Sequence, residues 1–510
     1  MLVTTNTGAI SGVDGLVVRV EVDVSSGLQA FRVVGLPDAV VREAHVRVRA
    51  ALSNSGFGTL EGAVTVNLAP ADVRKQGSAF DLAVALGLVA ATGQAPPDKL
   101  EEVLCLGELA LDGSVHAVRG VLPAVSAAAK KGIRRVIVAK DNGAEAGLVG
   151  SVAVHTVSSL RAAVDLVSSE WPISRPPSTK KRVDRRAEIY LDLAEVKGQR
   201  LPKRALEIAA AGGHNLLMTG PPGAGKSLLA NRLPWLLPPL DFDHAVEVTK
   251  IHSVAGLLKD GGLVSAPPFR APHHSISSAA MVGGGIGPVP GEVSLAHRGV
   301  LFLDELPEFI RPALEALRQP LEDGTAQIRR VARMATFPAR FTLVAAMNPC
   351  PCGYLGAETR PCRCTPAMID RYRARISGPL MDRIDLRVPV RALSPEELLA
   401  PPSGEGSRAV RERILRGREA QAKRFRRGRA KLNAFMTPRQ IARYCSVDDV
   451  AHVVLREAIE RFHLSARAFH RVLKVARTIA DLAGRDAIEP MHLQEALVYR
   501  TGVGPSQGCG

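Results

Sequence analysis

The sequence of 510 residues predicts an α/β protein built around a parallel β-sheet. Three observations lead to this prediction. An apolar run at residues 215–227, NLLMTGPPGAGKS, ends in a glycine-rich loop and is followed by a helical pattern. Before it, short strand-like runs alternate with helical ones, and long stretches near the C-terminus have apolar residues at helical spacing. We therefore predict an α/β core, preceded by an α+β domain and followed by a helical bundle.

Two polar segments divide the chain into three predicted domains, since 510 residues exceed what one hydrophobic core usually holds. Residues 168–189 are charged and contain several prolines, which is typical of an interdomain linker. A second break falls near residues 393–408. We predict an α+β domain at residues 1–167, an α/β core at 190–395 and a helical domain at 396–510.

The net charge of +16 is distributed unevenly along the chain. Residues 1–165 contain 15 basic and 16 acidic side chains, whereas residues 396–510 contain 21 basic and 13 acidic ones. Residues 408–432 alone contain eleven Lys or Arg and two Glu. As a helix this segment would be basic on nearly every side, which favours contacts with DNA phosphates and no sequence readout. A solvated surface helix, or a compositional bias towards Arg, would give the same pattern.

The sequence also bears on the compartment in which the protein works. The opening residues, MLVTTNTGAISG, have neither the charged nor the apolar region of a signal peptide. The longest apolar run, LAVALGLVAATG, is too short to span a bilayer. We therefore expect a cytoplasmic protein without a membrane segment. In a reducing cytoplasm, paired cysteines bind metals more often than they form disulfides.

Residues 220–227 match the phosphate-binding pattern G-x-x-x-x-G-K-S, between a predicted strand and a predicted helix. The glycines allow backbone N–H groups to approach phosphate oxygens. Lys226 would reach the β- and γ-phosphates of ATP, and the Ser227 hydroxyl would bind Mg²⁺. The predicted nucleotide-binding residues are Gly220, Pro221, Pro222, Gly223, Ala224, Gly225, Lys226 and Ser227.

Two later apolar runs end in polar residues that suit ATP hydrolysis. In GVLFLDEL the apolar run is followed by two acids. We predict that Asp304 binds Mg²⁺ and that Glu305 polarises the attacking water. In FTLVAAMNPC the apolar run is followed by Asn348, whose side chain could orient that water beside the γ-phosphate. Because the carboxyl ends of parallel strands meet at one edge of a sheet, we expect these residues to converge on the phosphate-binding loop.

Four of the seven cysteines lie in one short stretch, NPCPCGYLGAETRPCRCTP, at residues 348–366. This segment is rich in Pro and Gly and has little apolar content to fold it. One Zn²⁺ held by four thiolates would stabilise the segment and leave no open coordination position, so we predict a structural zinc site. The C-x-C spacing is less usual than C-x₂-C, and two disulfides or four free thiols are the alternatives. The predicted ligands are Cys350, Cys352, Cys362 and Cys364.

Together these motifs resemble those of AAA+ ATPases. Over essentially the whole chain the sequence is similar to the magnesium-chelatase-like branch, and most of all to the ComM/YifB family, in VKGQRLPKRALEIAAAGGHNLLMTGPPGAGKS, FRAPHHSISSAAMVGGGIGPVPGEVSLAHRGVLFLDELPEF and ISGPLMDRIDLRV. The resemblance implies an AAA+ core that uses ATP and Mg²⁺ and a homo-oligomeric ring, expected to be a hexamer. It also implies that Arg383, in LMDRIDL, is an arginine finger, and that Arg467, in LSARAFHRVLKVAR, is the sensor 2 residue.

The stretch between the two nucleotide-binding motifs is longer than a minimal core requires. Glycines at 283–285 and 287 predict a mobile loop, which the resemblance implies to be an insert reaching the central pore. His273 and His274 precede this loop. We predict no metal site there, because two adjacent side chains rarely converge on a metal without further ligands.

The N-terminal region, beginning with LAPADVRKQGSAFDLAVALGLVAATG, resembles the Lon protease domain. Lon cleaves peptides with a serine and a lysine that activates it. Ser78 falls near the nucleophile position, but Leu122 and Ala124 stand where the lysine is expected. We therefore expect this domain to serve assembly or partner binding.

The resemblance implies an ATP-driven hexameric motor that acts on DNA without sequence specificity, with branch migration or helicase activity in recombination or natural transformation. Two alternatives belong to other functional classes. One is a metal-insertion motor like the magnesium chelatase I subunit, and the other is a protein remodeller or ATP-dependent protease.

Overall fold

The first sheet of the protein is mixed and lies in the N-terminal third. The computed structural model describes residues 1–60, 62–172, 191–258, 261–285, 289–330, 333–357, 360–401, 404–425 and 432–501. The N-terminal strands are β1 (Leu2–Ser11), β2 (Asp14–Ser25), β3 (Ala30–Val34), β4 (Ala63–Ala69), β5 (Val103–Leu106), β6 (Glu108–Leu109), β7 (Val115–His116), β8 (Arg135–Ala139) and β9 (Ala153–Val157). The helices are α1 (Ala39–Asn54), α2 (Asp81–Ala91), α3 (Val121–Lys130), α4 (Gly143–Ala146) and α5 (Leu160–Ser168).

Seven of these strands form one sheet in the order β3-β4-β2-β1-β5-β8-β9. Strands β1, β2 and β4 pair antiparallel, whereas β5, β8 and β9 pair parallel. The almost fully buried helix α2 packs against β1 and β2, because its apolar residues face the sheet on one side and helices α1 and α5 on the other. The α+β prediction for this part of the chain is confirmed.

The second sheet is wholly parallel and carries the phosphate-binding loop. Its elements and their neighbours are α6 (Arg200–Gly212), β10 (Leu216–Thr219), α7 (Lys226–Ala230), α8 (Leu233–Leu236), α9 (Phe242–Val254), β11 (Phe269–Arg270), α10 (Ser278–Val282), β12 (Gly283–Gly284), β13 (Val289–Pro290), α11 (Glu292–Leu295) and β14 (Val300–Leu303). They continue as α12 (Arg311–Glu315), α13 (Arg318–Asp323), β15 (Thr325–Arg330), β16 (Arg333–Pro338), β17 (Thr342–Met347), α14 (Pro366–Arg373), α15 (Gly378–Met381), β18 (Leu386–Pro389) and α16 (Pro395–Leu399).

The strand order in this sheet is β11-β14-β17-β10-β18. Strands β14 and β17 are buried along nearly their whole length, as expected for parallel strands covered on both faces. The strand β10 lies between β17 and the edge strand β18, so the phosphate-binding loop that follows it opens at the sheet's carboxyl edge beside both. Two antiparallel hairpins, β12–β13 and β15–β16, project from the connections around β14.

The C-terminal helices are α17 (Ser407–Arg424), α18 (Pro438–Tyr444), α19 (Asp449–Phe462), α20 (Ala466–Leu482) and α21 (Pro490–Thr501). The predicted helical character of this region is confirmed. Its helices share one hydrophobic core with one face of the parallel sheet: Ile414, Val472 and Leu493 belong to the same buried cluster as Leu216 and Leu386. The helices therefore pack as part of the core fold.

A buried hydrogen bond joins the N-terminal part to the parallel-sheet part. Glu145, in α4, accepts a hydrogen bond from the Ser253 hydroxyl on α9 and another from the backbone N–H of Leu122. Burial raises the pKa of the Glu145 carboxyl. The predicted linker at 168–189 falls mainly outside the described residues. Within the ranges given above, no helix has the length and apolar character needed to cross a membrane.

Candidate nucleotide-binding site

The phosphate-binding loop has a backbone that only glycine fits easily at several positions. Gly223 and Gly225 have φ values of +75° and +90°, in the left-handed region. A Cβ on Gly220 would lie 2.0 Å from the carbonyl oxygen of Val390, so the first loop position also excludes a side chain. The loop therefore lies close to the end of β18. It leads directly into α7, as the motif predicts.

Lys226 is held at the centre of this loop. Its Nζ donates hydrogen bonds to the carbonyl oxygens of Gly220 and Pro221, at 2.7 and 2.9 Å, and to Asn348 Oδ1 at 3.1 Å. Burial lowers the pKa of Lys226, and the neighbouring charges of Asp304 and Glu305 oppose that shift. The ammonium group is therefore anchored between the loop and the end of β17, where a bound phosphate would lie.

Two predicted Mg²⁺ ligands also come together. The Ser227 hydroxyl donates a 2.6 Å hydrogen bond to Asp304 Oδ2, so the first turn of α7 meets the end of β14. A hydroxyl and a carboxylate oxygen are the hard ligands that Mg²⁺ prefers. The donor set therefore fits the metal that the nucleotide would bring.

Glu305 has an unusual backbone conformation beside this pair. Its φ is +53°, in the left-handed region that non-glycine residues seldom adopt, and its N–H donates to Asp304 Oδ1 at 2.9 Å. The side chain is 59% exposed, and Oε2 lies 3.6 Å from Nδ1 of His274. Strained backbone conformations of this kind cluster at active sites and ligand-binding sites.

The contact between His274 and Glu305 was not predicted from the sequence, in which His274 was considered only as a metal ligand. The strand order of the structure explains this contact. Strand β11 pairs in parallel with β14, with Phe269 opposite Val300, so the residues that follow β11 emerge beside those that follow β14. His274 follows β11 by four residues and thus comes close to Glu305.

The four clustered cysteines converge as predicted, and their thiols could hold a metal ion. Their sulfur atoms all lie within 4.8 Å of one another. The Sγ of Cys350 is 3.4 Å from that of Cys352 and 3.7 Å from that of Cys362. The N–H of Cys352 points to Cys364 Sγ at 3.4 Å, so backbone donors also face the sulfurs.

The loop that carries these cysteines, residues 349–364, packs against the phosphate-binding loop. A Cβ on Gly353 would lie 2.5 Å from Pro222 Cδ, and Gly353 itself has φ +85°. The same loop begins directly after Asn348, which binds Lys226. The cysteine loop is therefore in contact with Pro222 of the phosphate-binding loop and continues directly from Asn348.

Among the described residues, the two predicted arginines have no recorded contact with the phosphate-binding loop, and their settings differ. Arg383 is only 15% exposed and forms an ion pair with Glu322, while its Nη1 donates to the carbonyl oxygen of Pro379 at 2.7 Å. Its Nε is buried and lacks a hydrogen-bond partner among the described residues. Arg467 is exposed in the first turn of α20, and Arg471, one turn later, pairs with Asp385 at 2.5 Å.

The helix α17 was predicted to be basic on nearly every side, but on one face its arginines pair with acidic residues. Arg424 is bound to the buried Asp481, and Arg413 pairs with the buried Glu207, so these charges stabilise packing and are not available to DNA. The reason is that the buried face of α17 pairs acids from neighbouring helices with its own arginines. The exposed basic side chains of the helix are Arg408, Arg416 and Lys423. Residues 426–431, with the other predicted DNA contacts, lie outside the described residues.

Ser78 donates a hydrogen bond to the Glu108 carboxylate, and the side chains of Leu122 and Ala124 are buried in α3. Neither Leu122 nor Ala124 can take a proton from the serine as the Lon lysine does. Lys75 is also buried, and its Nζ donates to the carbonyl oxygen of Pro70.

A cavity of about 760 Å³ opens beside the first loop residues, Gly220 and Pro221. Its other walls include β18, the segment after it, Pro349 and Leu355–Ala357 of the cysteine loop, and Arg373 of α14. Lys226 and Ser227 do not line it, so we do not assign the phosphates to this cavity.

Three family models match successive parts of the chain, and all three describe subunit ChlI of magnesium chelatase. The model for magnesium chelatase, subunit ChlI, matches residues 192–398. A second model, for subunit ChlI of Mg-chelatase, matches residues 20–142, and the model for the C-terminal part of subunit ChlI matches 404–500. The three matches cover the parallel sheet, the greater part of the N-terminal sheet and the C-terminal helices.

Relatives match over nearly their full length. The competence protein ComM of Haemophilus influenzae is 45% identical over 496 residues, which is 96% of each chain. The uncharacterized protein YifB of Escherichia coli is 44% identical over 497 residues, 97% of this chain and 96% of that protein. An uncharacterized protein of Mycobacterium tuberculosis is 45% identical over 494 residues, 96% of this chain and 97% of that one. The chain belongs to the ComM/YifB family of magnesium-chelatase-like AAA+ proteins.

Proposed function

We propose that this protein hydrolyses ATP and uses the energy to drive a homo-oligomeric ring, a hexamer, along branched DNA. The observation that carries the ATPase proposal is the convergence of Lys226 with Asn348 and of Ser227 with Asp304 at one sheet edge. Nucleotide phosphates and Mg²⁺ are the ligands that this set of residues fits.

Each residue has a distinct role in the proposed reaction. Lys226 binds the β- and γ-phosphates, which replace its present carbonyl partners. Ser227 and Asp304 hold Mg²⁺, which neutralises phosphate charge when it is bound. Glu305 takes up the proton of the attacking water, and Asn348 orients that water and keeps Lys226 in place. Little covalent chemistry is required of the protein, because positioning and charge stabilisation account for most of phosphoryl-transfer catalysis.

The DNA part of the proposal rests on charge and on the name of one relative. The chain has a net charge of +16, and exposed basic residues lie along α17. One relative bears the name competence protein, a name that links it to DNA uptake. Charge of this kind binds phosphate backbones without reading bases.

A metal-insertion motor is the second candidate, because all three matching family models carry the name of a magnesium chelatase subunit. The two candidates differ in what stimulates hydrolysis. We would measure ATPase activity alone, with single-stranded, duplex and four-way-branched DNA, and with a porphyrin. Stimulation by DNA supports the motor, and stimulation by the porphyrin alone would replace it with the chelatase function.

Three exposed residues on α17 test the DNA contacts: Arg408, Arg416 and Lys423. Changing all three to alanine should weaken binding equally for all sequences and reduce the slope of log K against log salt by up to about 3, since each lost phosphate contact removes about 0.9. Fluorescence anisotropy over a salt series measures this slope. The control variant changes three exposed basic residues of the N-terminal part, Arg42, Lys130 and Lys131. An unchanged slope in the α17 variant would exclude this surface as the DNA contact.

We also propose that the four clustered cysteines bind one structural Zn²⁺. Four converging sulfurs fit a closed tetrahedral site, and backbone N–H groups facing sulfur stabilise thiolates. The metal would fix the loop that packs on Pro222 and follows Asn348, and so would maintain the geometry around Lys226.

Elemental analysis of the purified protein should therefore find about one zinc per chain. The double substitution Cys362→Ser and Cys364→Ser should remove the metal and lower the melting temperature and ATP affinity together. Cys445→Ala changes a buried cysteine outside the cluster and should leave the zinc content unchanged. Protein without metal, with four freely titrating thiols and full ATPase activity, would contradict the zinc site.

A further inference from the structure

The backbone of Arg383 is attached to the parallel sheet by hydrogen bonds. Asn215, directly before β10, donates from Nδ2 to the carbonyl oxygen of Arg383 at 2.8 Å. The carbonyl oxygen of Asn215 accepts hydrogen bonds from the N–H groups of Asp385 and Leu386, at 3.0 and 2.9 Å. The segment from Arg383 to the start of β18 is therefore bound to the first residues of β10, at the sheet edge opposite the phosphate-binding loop.

Two arginines of the C-terminal helices hold the same segment. Arg471 of α20 donates from Nη1 to Asp385 Oδ1 at 2.5 Å, and the Asp385 side chain is only 6% exposed. Arg500 of α21 donates from Nη1 to the carbonyl oxygen of Ile384 at 3.0 Å. Because a buried carboxylate without a cation is strongly destabilising, the pair between Arg471 and Asp385 links α20 to this segment.

The guanidinium of Arg383, in contrast, has partners that it can exchange. It pairs with Glu322 and donates to the carbonyl oxygen of Pro379. The Glu322 side chain is 64% exposed, so solvent screens this ion pair and its contribution to stability is small. The structure thus fixes the backbone of Arg383 and leaves its side chain able to rotate, as a residue that reaches into a neighbouring subunit requires.

We infer that Arg471 is a positioning residue, which through Asp385 fixes the backbone of Arg383 so that its guanidinium meets the γ-phosphate bound in the neighbouring subunit. This inference rests on the proposed ATPase function and on the role of Arg383 that the family resemblance implies. A displacement of about 1 Å at such a group lowers turnover about a hundredfold. The C-terminal helices therefore act on hydrolysis in the neighbour, although Arg471 itself touches no nucleotide.

Two substitutions separate the charge of Arg471 from its bulk. Arg471→Met removes the charge and keeps an unbranched side chain, and we expect kcat to fall about 10- to 100-fold with an unchanged affinity for ATP. Arg471→Lys keeps a cation for the single oxygen that Nη1 contacts, so it should recover most of the turnover. If Arg471→Met does not fold, Asp385→Asn replaces it, because the amide oxygen can still accept the hydrogen bond from the N–H of Asn215.

The matched control is Arg424→Met in α17. It also breaks an ion pair between an arginine and a buried aspartate of the C-terminal helices, in this case Asp481. Both methionine variants should lower the melting temperature, whereas kcat should fall only in Arg471→Met. An equal fall of kcat in both variants would assign Arg471 to packing alone and overturn the inference.

Mixed rings show in which subunit Arg471 acts. A subunit with Arg471→Met keeps its own Lys226 and Glu305, so neighbours with Lys226→Ala and an intact Arg383 should restore part of its activity. A defect within the subunit's own site would not be restored in this way. In the Arg383→Ala background, Arg471→Met should cause no further loss, because the guanidinium that it positions is already absent.

Amide hydrogen exchange in residues 380–387 tests the same contact without an ATPase assay. Arg471→Met should speed exchange of the Asp385 N–H, which is bound to Asn215, and Arg424→Met should not. Wild-type kcat in Arg471→Met, mixed rings that form without recovery, or unchanged exchange in this segment overturns the inference. A wild-type protein that hydrolyses no ATP under any condition would instead contradict the proposed function, and the exchange result would still decide whether Arg471 fixes the segment.

Discussion

Replacing Glu305 with glutamine is expected to lower ATP turnover about 10²- to 10⁴-fold, because the amide cannot take a proton from the attacking water. ATP binding should remain, since the contacts of Lys226, Ser227 and Asp304 do not involve the Glu305 side chain. Lys226→Ala should lose turnover and binding together, because its ammonium group is the charge that meets the phosphates. Equilibrium binding of a fluorescent ATP analogue and a steady-state phosphate-release assay distinguish the two variants.

The matched control is Glu308→Gln, three residues further along the chain. Glu308 is also an exposed acid and forms an ion pair with Arg375 at 2.7 Å, away from the phosphate-binding loop. Its loss should change turnover little. Near-wild-type turnover in Glu305→Gln would assign the base to another residue.

Arg383→Ala is expected to lower turnover by about 10³-fold or more, if the residue stabilises the transition state in a neighbouring subunit. Within one chain the guanidinium pairs with Glu322, and its Nε is buried without a partner among the residues described. Assembly would then have to move Arg383 from Glu322 to the γ-phosphate of the neighbour. ATP binding by the isolated chain should not change.

Mixing variants tests whether the arginine acts across subunits. A subunit with Arg383→Ala keeps its own Lys226, so a Lys226→Ala neighbour with an intact Arg383 should restore part of its activity. Arg375→Ala, which also breaks a surface ion pair, is the control and should retain turnover. Rings that form from the mixture without any recovered activity would place Arg383 within its own subunit's site.

The convergence of the residues predicted to bind the nucleotide could be foreseen from the sequence because it depends on local pattern. Each of Lys226, Asp304 and Asn348 follows a short apolar strand, and parallel strands bring their carboxyl ends together whatever the rest of the chain does. The proximity of the four cysteines was predictable for a similar reason, since Cys350 and Cys364 are only 14 positions apart and a short loop brings them close.

Other features depended on partners distant in sequence. The helix α17 appears basic all round, yet Arg424 pairs with Asp481, 57 residues away, and Arg413 with Glu207, 206 residues away. Composition alone cannot distinguish a solvated arginine from one that neutralises a buried acid. The core shared by the C-terminal helices and the sheet could not be predicted either. Helical periodicity shows which face of a helix is apolar but not which element packs against that face.

The most direct test of the account is strand separation on a forked or four-way-branched DNA with a fluorescent label, at physiological salt. We expect the wild-type protein to separate or exchange strands only when ATP and Mg²⁺ are present. Glu305→Gln should bind the same DNA without separating it. The DNA motor would be contradicted if no DNA structure changed the rate of ATP hydrolysis and no strands were separated or exchanged.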